Sequence, residues 1–154
     1  MTKKTTNIGL EKKEIEQSVR VLINYLADSY YLYLKTHQFH WNVTGPNFYS
    51  LHKMFEEQYN ALFLSIDDIA ERIRALGAFV PSPSAELKQF TSLEDVTDVP
   101  SAAEMLSLLL ADHETVIRNI RTWLKEELDP STDDFLIGRM EEHEKTAWML
   151  RASQ

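Results

Sequence analysis

The sequence predicts an all-α fold: a four-helix bundle whose second and third helices are joined by one long crossover carrying a short extra helix. Three observations lead there. Four long segments repeat apolar residues at helical spacing. Only four glycines and five prolines occur in 154 residues, almost all at segment boundaries. Between the second and third segments, residues 78–100 abandon the pattern altogether.

The first helix is expected from about Lys12 to Asn42, with Val19, Leu22, Ile23, Leu26, Tyr30, Tyr33 and Leu34 as its apolar stripe. Ahead of it, residues 1–10 read as a flexible tail. Gly45-Pro46 turns the chain into a second helix from about Asn47 to Leu76, carried by Leu51, Phe55, Leu62, Ile66, Ile69, Ala70 and Ile73. Gly77 is placed to stop it. The crossover holds Pro81, Pro83 and Pro100, and its short helix is expected after Ser92. A connection of that length spans a bundle and joins parallel helices. Ser101 and Glu104 form a capping box for the third helix, with Met105, Leu108, Leu109, Val116, Ile120 and Trp123. Asp129-Pro130 opens the fourth, since proline suits a first helical position. It carries Phe135, Leu136, Met140, Ala147, Trp148 and Leu150 and ends near Arg151. Residues 1–154 form a single domain.

Composition narrows the chemistry. With no cysteine, disulfides and thiolate metal sites are excluded. A metal must then be held by imidazole and carboxylate, which suits iron, zinc or manganese. A net charge of −8 disfavours general attraction to nucleic acid and anionic lipid. No leader-like or membrane-spanning apolar run is present, so a cytoplasmic protein is expected.

Metal-type ligands flank the predicted turn: His40 before it, His52 and Glu56 after it, then Asp67 and Glu71 farther along the same helix. A rise of about 1.5 Å per residue puts roughly 16 Å between Glu56 and Asp67, so one helix cannot close the set around one ion. His40 and His52 stand six residues either side of Pro46, which brings them to similar height in a helical hairpin. His40, His52 and Glu56 then form one half-site, and the i, i+4 pair Asp67 and Glu71 forms the other. A two-fold axis would bring the first half-site of one chain onto the second half-site of its neighbour. Blander readings compete for each residue. A lone histidine is commonly a packed core group, Glu56 can pair with Lys53, and Asp67 and Glu71 can face water. Asp68 has Arg72 four residues on, a surface ion pair of little consequence. Against the solvated reading stand Ile66 and Ala70 beside Asp67 and Glu71, since an unpaired carboxylate among apolar groups costs several kcal/mol.

The run Lys35-Thr36-His37-Gln38-Phe39-His40-Trp41-Asn42-Val43-Thr44-Gly45-Pro46-Asn47-Phe48 and the later Asp67-Asp68-Ile69-Ala70-Glu71-Arg72-Ile73-Arg74-Ala75-Leu76-Gly77 closely resemble the Dps family of mini-ferritins. The likeness continues through Leu51-His52-Lys53-Met54-Phe55-Glu56-Glu57 and His143-Glu144-Lys145-Thr146-Ala147-Trp148-Met149-Leu150 and covers nearly the whole chain. It implies a ferritin-like bundle assembled from two-fold dimers into a homo-dodecamer of 23 symmetry. It also implies ferroxidase activity: Fe(II) oxidised with hydrogen peroxide at a di-iron centre, the product stored as ferric mineral, and DNA protected from oxidative damage.

By motif position the resemblance assigns His40, His52 and Glu56 of one subunit, with Asp67 and Glu71 of its mate, as metal ligands and catalytic residues. Glu56 stands where many members carry aspartate. Trp41 and His37 are expected beside the site, Asp134 with Glu141 and Glu142 at a cation pore, and Glu57 at mineral nucleation. His113 and His143, with no ligand partners near them in sequence, are left out of the centre. Ordinary ferritins use Glu-x-x-His pairs, and no histidine here has a glutamate three residues before it. Two other readings stay open: a DNA-condensing structural protein associated with the nucleoid, and a cage using the same ligands for zinc or manganese. Only Lys3 and Lys4 precede the first helix as DNA-directed charges.

Overall fold

The computed structural model describes residues 6–154; Lys3, Lys4 and the first half of the expected tail lie outside the described residues. Four helices account for most of the chain: α1 (Lys12–Asn42), α2 (Phe48–Ala75), α3 (Ala102–Trp123) and α4 (Pro130–Ala152). α1 packs principally along α2 and α3 along α4, while α1 also lies on α3 and closes the bundle. No described helix is long and apolar enough to cross a membrane.

The helix ends follow local chemistry. The Glu14 carboxylate accepts from the Glu11 amide at 2.8 Å at the start of α1. Gly45 and Gly77 adopt φ of 112° and 89°, a region costly for residues with a Cβ. After Gly77 the amides of Gly77 and Ala78 return to the carbonyls of Arg74 and Ile73, closing α2 with two reverse bonds. The Ser101 hydroxyl accepts from the Glu104 amide while Glu104 accepts from the Ser101 amide, as a capping box requires. The Asp129 carboxylate receives the amides of Ser131 and Thr132, and Pro130 occupies the first turn of α4.

Three expectations change. The crossover's helical turn is a single 3-10 turn at Leu87–Gln89, before Ser92 rather than after it. The reason lies in α1, where the buried Asp28 carboxylate receives the Thr91 hydroxyl and both the amide and hydroxyl of Ser92. Those bonds commit the segment to a side chain, and burial is what pushes the Asp28 carboxyl above its usual range. Leu34 and Trp148, placed on apolar stripes, are 52 % and 59 % exposed. Leu22 and Leu26 are buried as expected, and the core face of α1 also takes in Val21, Tyr25, Leu32 and Phe39. Arg72 turns away from Asp68 to the Asp129 carboxylate and the Thr132 hydroxyl, locking the end of α2 to the start of α4. Within the described part of the expected tail, Leu10 packs against the core while Ile8 is exposed.

Candidate metal centre

The turn at Gly45-Pro46 brings His40 and His52 face to face, their rings stacked at 3.8 Å and 17°. Each imidazole also reaches the other's backbone. His40 Nδ1 lies 2.8 Å from the His52 carbonyl, and His52 Nδ1 lies 2.8 Å from the His40 carbonyl. A carbonyl only accepts, so both Nδ1 atoms carry the proton and donate. In the neutral imidazole Nε2 is then the lone-pair donor, the form in which the ring binds a metal. Neither Nε2 has a hydrogen-bond partner among the described residues. The pair is thus oriented and held in one tautomer before any ion arrives.

Glu56 stands one turn beyond His52, with its carboxylate on Lys53 at 2.8 Å. The Lys53 hydrogen bond, then its charge, holds the Glu56 carboxyl below its usual range, with smaller help from His40 and His52. Glu56 is partly open to water and can exchange this partner for a metal. Farther along α2, Asp67 and Glu71 share one face, are exposed, and form no ion pair or side-chain hydrogen bond among the described residues. The expected cost of carboxylates among apolar neighbours does not arise in the single chain, because both project past Ile66 and Ala70 into solvent. Among the described residues no three histidine or carboxylate side chains gather closely enough to hold a metal ion. One chain offers two imidazoles at one end of α2 and two carboxylates at the other.

Aromatic rings surround the first half-site. His37 lies between Trp41 at 4.0 Å and Tyr59 at 4.3 Å. Partial burial, with a smaller contribution from nearby His40, lowers its tendency to protonate. Trp41 is 63 % exposed and is no core anchor. Glu57, Asp134, Glu141 and Glu142 all lie on the surface, where cations can reach them.

His113 and His143 meet inside the bundle instead. Arg139 Nε donates to the Tyr25 oxygen at 3.3 Å, Tyr25 lies 3.0 Å from His143 Nε2, and His143 Nδ1 lies 2.9 Å from His113 Nδ1. Arginine can only donate, so the Tyr25 proton turns to His143, and His143 donates in turn to His113. Burial lowers His113 to about 3 and His143 well below its ordinary value. His113 Nε2 and the Gln58 amide find no side-chain partner. They line a cavity of about 60 Å³ between α2, α3 and α4, with room for water. The sequence did carry a signal for this cluster: His113 follows Leu109 by four residues and precedes Val116 by three, on the buried stripe of α3. A much larger apolar groove of about 650 Å³, between Leu10, Ile15, Val19 and Phe90, holds none of the candidate ligands.

Comparison with known proteins agrees with this architecture. Residues 20–153 match the ferritin-like domain family. The chain is 46% identical over 151 residues to a low temperature-induced protein of Nostoc sp., covering 95% of this chain and 84% of that protein. It is 38% identical over 145 residues to a DNA protection during starvation protein of Brevibacillus brevis, covering 92% and 97% of the two chains. The Dps protein of Vibrio cholerae O1 superposes with a TM-score of 0.89 at 30% identity, covering 96% of each chain. That protein is described as a member of a broad superfamily of ferritin-like diiron-carboxylate proteins.

Proposed function

Because the chain belongs to the Dps family of ferritin-like proteins, we propose that it is a ferroxidase that takes Fe(II) and hydrogen peroxide as substrates and stores the ferric product inside a homo-dodecameric cage. The observation that carries this reading is the reciprocal locking of His40 and His52, which leaves two Nε2 lone pairs open on one face. A core or purely structural pair has no need of that arrangement.

Iron binds as substrate to His40, His52 and Glu56 of one subunit, and Asp67 and Glu71 of the partner subunit complete the donor set across a two-fold axis. The geometry of α2 supports this division, since its two half-sites stand roughly 16 Å apart along one helix. Stacked, tautomer-fixed imidazoles need no reorganisation on binding, whereas Glu56 must first release Lys53. The carboxylates favour Fe(III) over Fe(II), because each added positive charge on the metal gains more from nearby anions than it loses in hydration. Two irons together deliver the two electrons that peroxide accepts, so no hydroxyl radical is released. Protection of DNA follows from removing Fe(II) and peroxide in one step. It requires no contact with DNA, which a chain of net charge −8 does not favour. Asp134, with Glu141 and Glu142, draws cations toward the interior, and Glu57 offers a nucleating carboxylate.

Subunit complementation tests the shared centre. His52→Ala and Asp67→Ala proteins are each expected to lose rapid peroxide-driven Fe(II) oxidation in stopped-flow absorbance. Co-assembled in equal amounts, they are expected to recover it at roughly a quarter of the centres, those drawing the imidazole half from one variant and the carboxylate half from the other. No recovery in mixed particles of normal size would exclude a centre divided between subunits.

A further inference from the structure

Along one side of the α1–α2 pair a continuous series of aromatic rings begins against His40. Tyr59 meets His40 edge-on with centroids 5.1 Å apart. Tyr33 follows at 6.3 Å from Tyr59, and Tyr30 at 6.2 Å from Tyr33. All three tyrosines are half-buried, and no hydroxyl among them is committed to a hydrogen bond with another described residue. Packing alone does not ask for phenols here. Phe63, 5.9 Å from Tyr33, shows that a plain phenyl ring fits the same face. What a phenol adds is the ability to give up one electron together with its proton.

That ability meets a specific chemical need, one that rests on the ferroxidase reading above. Hydrogen peroxide accepts two electrons, and a centre holding a single Fe(II) supplies only one. We propose that Tyr59 gives the second electron when one iron is bound, and that Tyr33 and Tyr30 carry the resulting hole away from the centre. Iron and phenol each lose one electron as the peroxide O–O bond breaks. One oxygen leaves as hydroxide; the other takes the phenol hydrogen and leaves as water. The products are Fe(III) and a phenoxyl radical, which a later Fe(II) reduces back to phenol with uptake of one proton. Trp41 is the rival donor, but its ring contacts His37 and neither His40 nor His52.

The test uses the full assembled protein given Fe(II) and peroxide, frozen rapidly and examined by electron paramagnetic resonance, with Fe(III) absorbance read on the same samples. A phenoxyl signal is expected with one iron per centre and should shrink with two. Tyr59→Phe should remove most of it and raise the yield of spin-trapped hydroxyl radical. Tyr33→Phe should alter its line shape by confining the hole to Tyr59. Tyr31→Phe, outside the series, should leave it unchanged. Fe(III) formation without any phenoxyl signal would overturn the proposal while leaving the ferroxidase reading intact. So would an indole radical that survives Tyr59→Phe and disappears in Trp41→Phe. Absence of Fe(III) itself would overturn both.

Discussion

His40 with His52, and His113 with His143, are two histidine pairs in one small bundle that have opposite chemistry. In the first pair each Nδ1 donates to a main-chain carbonyl, and both Nε2 atoms stay free at a partly open surface. In the second both Nδ1 atoms are spent on one another and His143 Nε2 on Tyr25, deep inside the bundle, which leaves His113 Nε2 facing a small cavity. The difference teaches that a histidine's role depends on what its Nδ1 meets and on whether water reaches its Nε2. Main-chain carbonyls fix the tautomer without consuming the metal-binding nitrogen. A second imidazole fixes it by consuming one.

Matched substitutions should separate the pairs most sharply. His52→Phe retains a stacked ring on His40 and loses one hydrogen bond to the His40 carbonyl, so stability should fall by only about 0.5–1.5 kcal/mol. Binding of Fe(II), or of Zn(II) as a redox-inert probe, should weaken by more than the about 10–100-fold that loss of an outer hydrogen-bond partner costs a metal site. His143→Phe should do the reverse, costing about 2–3 kcal/mol in denaturant unfolding by stranding Tyr25 and His113, with metal affinity unchanged in calorimetry. Equal effects of the two substitutions on metal binding would break the distinction.

A pH series sharpens it further. Burial holds His113 at about 3 and His143 well below its usual value, so between pH 6.5 and about 3 the unfolded chain takes up protons that the folded chain refuses. The stability tied to the neutral pair is complete above pH 6.5 and is lost as the pH falls through that window. Replacing both buried histidines with phenylalanine should therefore flatten the fall of melting temperature with acid, measured against the unmodified protein. The smallest effect is expected at the edge of the first pair. Lys53→Ala frees Glu56 from its ion-pair partner and should tighten metal binding by less than about tenfold, since an exposed ion pair contributes little.

Much of the fold was legible because its signals are local. Glu104 three residues after Ser101, proline after Asp129, and glycine after Leu76 each satisfy orphan backbone groups within a turn, so the helix ends could be read from neighbours in sequence. The position of the crossover's turn could not be, because Asp28 captures Thr91 and Ser92 from more than sixty residues away. Arg72 likewise chose Asp129, the residue that caps α4, over Asp68 one turn before it on α2.

The same division runs through the candidate centre. Spacing alone brought His40 and His52 to one height and put Asp67 and Glu71 on one helical face, because helix rise and a tight turn are properties of the chain itself. Which ring nitrogen is free, which carboxylate meets water, and which histidines are buried arose only when separate helices packed. Those outcomes depend on hydrogen bonds and desolvation between groups far apart in sequence, and a linear pattern of residues carries neither.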